Sequence, residues 1–401
     1  MTEYPSCEKI AEISIEKFTN LIKNIENDVE QWSILSTIIE YNQKSKECKV
    51  VALGTGTKCI GVDKMCPNGT ILNDSHAEII CRRSFLRYIY SEMLKNNEIF
   101  QFDKTKCYFS LNPDITYHFF STHPPCGDAT ITENNDEAVA SKKTKLDSDY
   151  VCTGAKILGI IKGYNSITGE KNDPLNQEEG ALRTKPGRGV RTLSMSCSDK
   201  LSKWNILGVQ GALLDLLLKD PIYFKTLNFC YEIHVMESIK RAIYNRWKIK
   251  KFINDRYILQ EPDIRINCDT IFYLTKLDDK KPSPRSIAWC NTPENEKPLE
   301  NAINGKKQGI TKKALEKSPL CGVLQISKFM LSKKFIEVVN HYPTIKDKIL
   351  RKIGESKLQL SYKELKILSE CYQNAWNSLK TDFFGSWTEK PEDLLNFKVK
   401  L

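Results

Sequence analysis

Along the chain, segments whose apolar residues recur at helical spacing alternate with short apolar segments that are typical of strands. Apolar side chains recur at roughly helical spacing through residues 8–32, which predicts an amphipathic helix. Residues 49–54 form an apolar run that leads into Gly-Thr-Gly-Thr-Lys, which predicts a strand followed by a turn. Asn73-Asp74-Ser75 are good N-cap residues, so we expect a helix from about residue 75 to residue 90.

The same alternation continues to the end of the chain. Strands are predicted over 107–111 and 115–121, and a helix over 197–218. Further on, the pattern predicts strands over 224–236 and 265–274 and helices over 237–252, 326–342 and 361–381. No linker or internal repeat separates these segments. We therefore expect one α/β domain over residues 1–401, with a core over about 46–218, a polar insert near 130–150 and a C-terminal lobe over about 219–401.

Composition narrows the class of protein only slightly. The chain has 401 residues, a net charge of +10 and 14 cysteines, none of them in a Cys-x-x-Cys pair. The positive charge suits a polyanionic partner such as nucleic acid, and it also suits an ordinary basic enzyme. Neither a leader pattern nor an apolar run near the roughly 20 residues of a membrane span is present. We expect a reducing compartment, the cytosol or the nucleus, and no membrane contact.

The candidate chemistry lies in three separate segments. His76 and Glu78 lie in one predicted helix start, Cys126 follows two prolines, and Cys197 lies 71 residues further on. One histidine and two cysteines suit a catalytic zinc ion with an open position for water, and Glu78 would move protons. Cys126 is expected to open a helix, whose positive end favours a thiolate.

Each piece alone has a plainer interpretation. A lone His-x-Glu usually marks a solvated helix face, and a single cysteine is more often a core residue than a ligand. The pieces become specific only together and in this order. The remaining histidines lack such context and are interpreted as structural or surface residues, namely His118, His123, His234 and His341.

The ordered set resembles the adenosine deaminases that act on RNA and, more closely, those that act on tRNA. The matching segments are Gly54–Cys59, Asn73–Arg83, Pro125–Ala129, Leu182–Gly189, Ser194–Lys200 and Gly385–Pro391. The distant second cysteine is this family's arrangement. The resemblance implies a cytidine-deaminase-like three-layer α/β core, extended by a C-terminal lobe that encloses inositol hexakisphosphate. It also implies His76, Cys126 and Cys197 as zinc ligands and Glu78 as the catalytic residue.

A buried polyphosphate needs many cations and hydroxyl donors around it. By resemblance these are Asn73, Arg82, Arg83, Lys185, Ser194, Lys200, Lys203, Lys328, Tyr362, Lys366, Tyr372, Trp387 and Lys390. Asp74 and Gln210 would form a polar relay to the zinc site. Gly322, Trp376 and Ala212 depart from the family pattern, which leaves individual contacts with the polyphosphate open. For each lysine, a solvated helix face remains the alternative.

The resemblance further implies conversion of adenosine to inosine at tRNA position 37, 3′ of the anticodon, in alanine tRNA. Only about 45 residues precede the first motif, which we interpret as too few for a double-stranded RNA-binding module. Two alternatives remain: the catalytic domain of a double-stranded RNA editor, and a non-catalytic module that binds RNA or inositol phosphates. The candidate RNA contacts are Thr57, Lys58, Arg188 and Arg191, for which a solvated loop is equally open. The expected partner is the anticodon stem-loop, and no obligate protein partner is indicated.

Overall fold

The computed structural model describes residues 4–23, 31–95, 98–132, 178–186, 190–250, 280–354 and 359–400. It also describes the backbone of 156–157 and, between 251 and 279, residues 252, 254–267, 269, 272 and 274. The predicted insert near 130–150 lies largely outside these residues, as does Arg188.

An eight-stranded mixed sheet forms the centre of the molecule. Its strands are β2 (Leu35–Asn42), β3 (Cys48–Thr55), β8 (Ile115–Ser121), β11 (Phe224–Phe229), β12 (Asp263–Ile266), β14 (Arg285–Cys290), β15 (Leu299–Ile303) and β16 (Lys306–Lys307). Their order is β12-β11-β8-β2-β3-β14-β15-β16. The neighbours β12, β11 and β8 run parallel, and the remaining neighbours run antiparallel.

Helices cover both faces of this sheet, which gives three layers. Alternate strand residues point to opposite faces, so Ile38 packs in the cluster around helix α2 (Ala77–Lys95), whereas Ile39 packs in the cluster around helix α1 (Cys7–Ile22). Phe119 and Phe120 divide between the two clusters in the same way. This arrangement confirms the predicted α/β class.

The remaining elements surround this core. The short strands are β1 (Gln31–Trp32), β4 (Thr57–Cys59), β5 (Asp74–His76), β6 (Phe100–Asp103), β7 (Tyr108–Leu111), β9 (Lys156–Ile157), β10 (Arg183–Thr184), β13 (Lys281–Pro282), β17 (Gln359–Ser361) and β18 (Lys398–Lys400). The further helices are α3 (Cys197–Leu207), α4 (Gly211–Asp215), α5 (Met236–Ile243), α6 (Lys312–Lys317), α7 (Lys328–His341), α8 (Pro343–Ile353), α9 (Tyr362–Ile367) and α10 (Glu370–Ser378). Among the described residues, no helix is both long and apolar enough to cross a bilayer.

The segments that carry the candidate chemistry meet at one end of the central strands of the sheet. The register places Leu35, Thr55, Ser121 and Phe229 at this end, where β2 begins and β3, β8 and β11 end. The chain leaves β3 into β4, which pairs with β5, and it leaves β8 into the segment that contains Cys126. The topology therefore brings sequence-distant motifs to one place.

Several predicted element boundaries were wrong. The first helix ends at Ile22 rather than residue 32, and Gln31–Trp32 is a strand. The helix predicted over 197–218 is two helices, because Gly208 adopts a φ of 78° that stops α3. The strand predicted over 224–236 ends at Phe229, and the predicted helix 361–381 is divided into α9 and α10.

Two further differences concern the candidate site. His76 ends strand β5 instead of lying in the first helical turn, and α2 begins with the next residue. Cys126 does not open an α-helix, because only a single 3-10 turn, Asp128–Thr130, follows it. Cys197 is instead the cysteine that begins a helix, at the first position of α3.

Candidate metal centre and cationic cavity

His76 is fixed by the junction between a strand and a helix. It pairs with Thr57 across β4 and β5, and the N–H of Ala77 donates to the carbonyl of Gly56 at 2.9 Å. Gly56 has a φ of 137°, and a Cβ there would lie 2.2 Å from the carbonyl oxygen of Ser75. A side chain at position 56 would therefore push apart the two strands that hold the histidine.

Two cysteines approach His76 from different elements. Cys126 lies in the loop after β8, and Cys197 is the first residue of α3, with its side chain fully buried. Each Sγ lies 3.7 Å from Nδ1 of His76. The backbone N–H of Cys197 donates to Sγ of Cys126 at 3.4 Å, so the amino end of α3 stabilises negative charge on Cys126 as well.

These three ligand atoms have the spacing that zinc requires. They all lie within 4.8 Å of one another. Tetrahedral zinc with ordinary Zn–N and Zn–S bonds separates an imidazole nitrogen from a thiolate sulfur by about 3.6 Å. The donor set of one nitrogen and two sulfurs, leaving a fourth position open, therefore fits a catalytic zinc ion.

The pKa shifts of these ligands describe a coupled group. The hydrogen bond from Cys197 holds the pKa of Cys126 well below its usual range, whereas burial raises the pKa of Cys197. Burial opposes a charged imidazole, but the adjacent Cys126 thiolate raises the pKa of His76 to about 10. Zinc binding by these three side chains would displace their protons, because zinc takes cysteine as the thiolate and histidine as the neutral imidazole.

Glu78 lies in the first turn of α2, two residues after the histidine. It is 1% exposed, and burial raises the pKa of its carboxyl group. Its Oε2 has no hydrogen-bond partner among the described residues. An unpaired buried carboxylate oxygen is costly, so it points to a group that binds there in the working protein.

Behind the metal ligands, two lysines hold one aspartate. Lys185 donates from Nζ to Asp74 Oδ2 at 2.9 Å and to the Cys197 sulfur at 3.0 Å. Lys200 binds the same Asp74 carboxylate from α3. Although burial opposes its charge, these two ammonium groups hold the pKa of Asp74 well below its usual range. A polar chain therefore runs from Lys200 through Asp74 and Lys185 to the sulfur of Cys197, a candidate metal ligand.

The 70 residues between the two cysteines supply this lysine. The N–H of Lys185 donates to the carbonyl of Ser194, and the N–H of Ser196 donates to the carbonyl of Arg183, each at 2.7 Å. Thr184 bridges to Met195 between them. This short antiparallel ladder carries Lys185 to the sulfur of Cys197.

A second group of possible ligands shares two of these residues. Cys59, Asp74 and His76 also lie within 4.8 Å of one another. However, Asp74 is already neutralised by Lys185 and Lys200, and Cys59 donates to it at 3.1 Å. Of the two groups, the one with Cys126 and Cys197 is the better zinc site, because two sulfurs and one imidazole nitrogen are the donors that zinc prefers.

A cavity of about 230 Å³ lies on the other side of Asp74. Nine of the predicted polyphosphate ligands line it: Asn73, Arg82, Arg83, Ser194, Lys200, Lys203, Lys328, Trp387 and Lys390. Asp74 is the only carboxylate among the described lining residues, against six cationic side chains. Nη2 of Arg83 is buried and has no hydrogen-bond partner among the described residues.

These cations disfavour one another's charge. Burial, together with Arg83 and Lys366, lowers the pKa of Lys328 to about 8. Burial and neighbouring cations hold the pKa values of Lys203 and Lys390 well below their usual range. A polyanion within the cavity would reverse these shifts, because opposite charge favours the protonated form.

Four other predicted ligands lie elsewhere. Lys185 faces Asp74 and Cys197, as described above. Tyr362 stacks on Phe397 with ring centroids 5.0 Å apart, and Lys366 Nζ lies 5.9 Å from the Tyr362 ring centroid. Tyr372 packs edge-on against Tyr257. These last three are not among the residues that line the cavity, although Lys203 Nζ lies 5.9 Å from the Tyr372 ring centroid.

The residues that depart from the family pattern also have defined positions. Lys203 Nζ lies 3.2 Å from the ring centroid of Trp376, so this tryptophan holds a cavity lysine in place. Ala212 is part of a buried apolar cluster, and Gly322 contacts Leu315 outside the cavity lining.

The structure does not bring Gln210 to Asp74. Its side-chain amide donates to Leu207 O at 2.8 Å and to Asp215 Oδ1 at 3.0 Å, and its oxygen accepts from Ile222 N at 3.1 Å. Gln210 fixes the break between α3 and α4 instead of extending the relay.

Three of the four candidate RNA contacts lie among the described residues. Thr57 and Lys58 are in β4, beside His76 and Ser75 of β5, and Arg191 is exposed in the segment before α3. Oγ1 of Thr57 is buried without a hydrogen-bond partner among the described residues. Whether these residues contact RNA stays a prediction.

Sequence reasoning missed several residues that hold the two cysteines. Asp128 and Asp199 lie within the segments Pro125–Ala129 and Ser194–Lys200, but the sequence alone assigns no role to them. Arg241 and Arg246 pair with these aspartates from the second half of the chain. The repeated Cys-x-Asp spacing was a readable signal for the aspartates, whereas nothing local marks the arginines.

The fold and the site together define a class: a mixed α/β sheet protein with a candidate His-Cys-Cys metal centre, a buried glutamate beside it and a cationic cavity on the other side of Asp74. The family model described as the adenosine-deaminase (editase) domain matches residues 52–391, and the chain belongs to this family.

Relatives with curated names match over almost the whole chain. The tRNA-specific adenosine deaminase 1 of Drosophila melanogaster is 43% identical and covers 98% of this chain and 97% of its own length. The human protein of the same name is 30% identical over 92% of this chain and 94% of its own length. The double-stranded RNA-specific editase Adar of Drosophila melanogaster is 28% identical over 95% of this chain and 53% of its own length.

Proposed function

We propose that this protein is a zinc-dependent deaminase that hydrolyses adenosine to inosine in tRNA. The observation that carries the proposal is the buried, unpaired Oε2 of Glu78 beside three converging ligand atoms. The family match supports the reaction, and the relatives named for tRNA support the substrate over a long RNA duplex. The complete His76, Cys126, Cys197 and Glu78 set disfavours a non-catalytic binding module.

The roles of the residues follow from their chemistry. His76, Cys126 and Cys197 would hold the zinc ion, which supplies a nucleophile from water at neutral pH. Glu78 accepts a proton from the attacking water and delivers it to the leaving nitrogen, so that adenosine and water give inosine and ammonia. Lys185 fixes the Cys197 sulfur and keeps its negative charge compensated.

The finer substrate assignment is adenosine 37, 3′ of the anticodon, in alanine tRNA. An anticodon loop already exposes unstacked bases, which lowers the cost of placing one in a pocket. Thr57, Lys58 and Arg191 would contact the RNA at the rim of this pocket, and their side chains suit phosphate and ribose.

We also propose that the cavity binds inositol hexakisphosphate. Six cations with one carboxylate are a set that a compact polyphosphate neutralises, and Arg83 keeps an unpaired donor for it. The residues come from about 46–218 and from about 219–401, so the ligand would tie the proposed deaminase core to the proposed C-terminal lobe.

The test of the activity is Glu78→Gln, which keeps the shape of the side chain and removes the base. We expect inosine formation in alanine tRNA to fall by about 10²- to 10⁴-fold, with zinc content unchanged. The matched control is Glu92→Gln on the same helix, where the carboxylate pairs with Lys95 at 2.6 Å. This control should leave the rate within about twofold.

The substrate assignment is tested with a panel: alanine tRNA, a second tRNA, a long RNA duplex and free cytidine. Inosine at position 37 of alanine tRNA alone is the expected result. Product from the duplex but from neither tRNA would support the editor of double-stranded RNA instead. Product from none of the four would reject the proposed activity.

A further inference from the structure

Each candidate metal-ligand cysteine is followed two residues later by an aspartate. Asp128 follows Cys126, Asp199 follows Cys197, and both aspartates are completely buried. The proposed reaction uses neither of them. A buried carboxylate is strongly unfavourable without partners, so the groups that pair with these two define what they do.

Asp128 is bound from three directions. Its Oδ1 accepts from the N–H of Gly180 at 2.6 Å and lies 3.6 Å from Nη1 of Arg183. Its Oδ2 lies 3.3 Å from Nε of Arg241. The loop that carries Cys126 is therefore held by residues far from it in sequence.

Asp199 is bound in a matching way. Its Oδ2 accepts from Ser196 Oγ at 2.7 Å and from the N–H of Arg183 at 2.9 Å. Its Oδ1 accepts from Nη2 of Arg246 at 2.7 Å. The first turn of α3, which carries Cys197, is thereby fixed to Arg246 and to Arg183, and Arg183 also contacts Asp128.

One residue joins the two carboxylates. Arg183 gives its backbone N–H to Asp199 and its guanidinium to Asp128, and it is itself completely buried. The other two arginines extend the connection from α5 and the turn after it. Arg241 also donates to Ile131 O at 2.7 Å, and Arg246 donates to Gly180 O at 3.1 Å.

The two cysteine segments also contact each other directly. The N–H of Ser198 donates to Cys126 O, and Ser198 Oγ donates to Pro125 O, each at 3.0 Å. Gly127 has a φ of 108°, and a Cβ there would lie 2.4 Å from Ser196 Oγ. The segments pack too closely for any side chain at position 127.

We infer that Asp128, Asp199, Arg183, Arg241 and Arg246 form a clamp that positions both cysteine sulfurs for the metal ion. Two thiolates repel each other and must nevertheless lie about 4 Å apart in a zinc site. A rigid support sets that distance before the metal arrives, so the metal does not have to order the loops. Arg241 and Arg246 are therefore positioning residues for the metal centre. The inference rests on the proposed function only through the three metal ligands.

The experiment measures metal binding without RNA. Arg246→Met and Arg241→Met are compared with the unaltered protein for zinc affinity, by competition with a chromophoric chelator, and for the visible spectrum of the Co²⁺-loaded protein. We expect each change to weaken zinc binding by about 10- to 100-fold and to alter the cobalt bands. Arg246→Lys should restore part of the affinity, because it keeps the charge beside Asp199. Arg241→Met is the milder change, because the Arg241 side chain is 21% exposed.

The matched control is Arg256→Met. Arg256 pairs with buried Asp215 at 3.2 Å and donates to the carbonyls of Leu218 and Lys219, which follow α4, so its loss also removes an arginine–aspartate pair. It should lower the melting temperature and leave zinc affinity within about twofold.

The clamp would be overturned if Arg246→Met and Arg241→Met fold but keep the zinc affinity and the cobalt spectrum of the unaltered protein. It would also be overturned if Arg256→Met loses as much zinc affinity as they do. Unaltered protein that binds cobalt but forms no inosine would reject the proposed activity and leave the clamp standing. Unaltered protein that binds neither metal would overturn both.

Discussion

Two buried polar atoms next to His76 lack a hydrogen bond among the described residues: Glu78 Oε2 and Thr57 Oγ1. Thr57 pairs with His76 across β4 and β5, so its hydroxyl lies beside the metal ligand. A hydroxyl that is buried but unpaired is available to a bound substrate. The ribose of the target nucleotide offers the hydroxyl groups that would pair with it.

We expect Thr57→Val to reduce kcat/KM for alanine tRNA by about 2- to 10-fold, the value of one ordinary hydrogen bond. Zinc affinity should not change. Single-turnover inosine formation over a range of enzyme concentrations measures the effect.

Thr55→Val is the control two residues away. The Thr55 hydroxyl accepts from the N–H of Ile287 at 3.0 Å, so it already has a structural partner. Thr55→Val should therefore lower the melting temperature more than Thr57→Val does. If Thr57→Val lowers stability as Thr55→Val does and leaves kcat/KM unchanged, the hydroxyl is structural.

Sequence reasoning proposed His76, Cys126 and Cys197 as metal ligands because each lies in a motif, and the structure brings their ligand atoms within 4.8 Å of one another. It placed Lys185 among the polyphosphate ligands, whereas the structure directs that lysine to Asp74 and Cys197. A motif tells which residues matter, but only the fold tells which side of Asp74 a lysine reaches. Arg241 and Arg246 carry no local signal, because an arginine on a helix usually faces solvent.

At the scale of elements, the amino end of α3 connects stability to the metal centre. Ser196 caps this helix by accepting from the N–H of Asp199 at 3.1 Å, and it donates back to the Asp199 carboxylate. The N–H of Cys197, the first residue of α3, donates to the Cys126 sulfur. One helix end therefore orders both sulfurs.

Ser196→Ala should lower the free energy of unfolding by about 1 kcal/mol and also weaken zinc binding, because the lost hydroxyl serves the helix and the carboxylate together. Chemical denaturation and chelator competition measure the two effects. The control is Ser6→Ala, which removes the equivalent cap of α1, where Ser6 accepts from the N–H of Lys9 at 3.2 Å. Equal loss of zinc affinity in both variants would contradict the link.

The elements that were predicted best are those whose pattern agrees with their packing, such as β3, β8 and α7. The errors arose where a tertiary contact overrides the local pattern. Residues 197–218 look helical throughout, yet Gly208 turns the chain so that Val209 N bonds to Ile222 O at 2.9 Å. A glycine in an apolar helical pattern does not reveal such a partner.

At the scale of the whole molecule, the cavity joins residues from Ile71 to Lys390. Each of its lysines taken alone resembles an ordinary surface lysine. Only the fold shows that six cations share one cavity with a single carboxylate among its described lining residues. Their mutual repulsion destabilises the folded state unless a polyanion in the cavity neutralises their charge.

The pKa of Lys328 determines how the free energy of unfolding depends on pH when no polyanion is bound. Its pKa falls from 10.5 to about 8 on folding, so between about pH 10 and pH 8 the unfolded chain takes up a proton that the folded chain does not. Without a polyanion, the free energy of unfolding therefore decreases as the pH falls through this window and stays low below it. The full penalty from this lysine is about 3 kcal/mol.

Lys328→Met should consequently have opposite effects with and without the ligand. Protein refolded from urea without polyphosphate should be stabilised at pH 7.5 by the loss of a buried charge, and its stability should depend less on pH between 8 and 10. Protein refolded with inositol hexakisphosphate should be destabilised, because one phosphate contact is lost. The control is Lys333→Met, an exposed position on the same helix α7, which should leave the stability unchanged in both states.

The protein as purified, without a refolding step, should contain the ligand. Mass spectrometry after denaturation of this protein should detect an inositol polyphosphate. A Lys328→Met effect of the same sign in both states, or no released polyphosphate, would contradict a polyanion in this cavity.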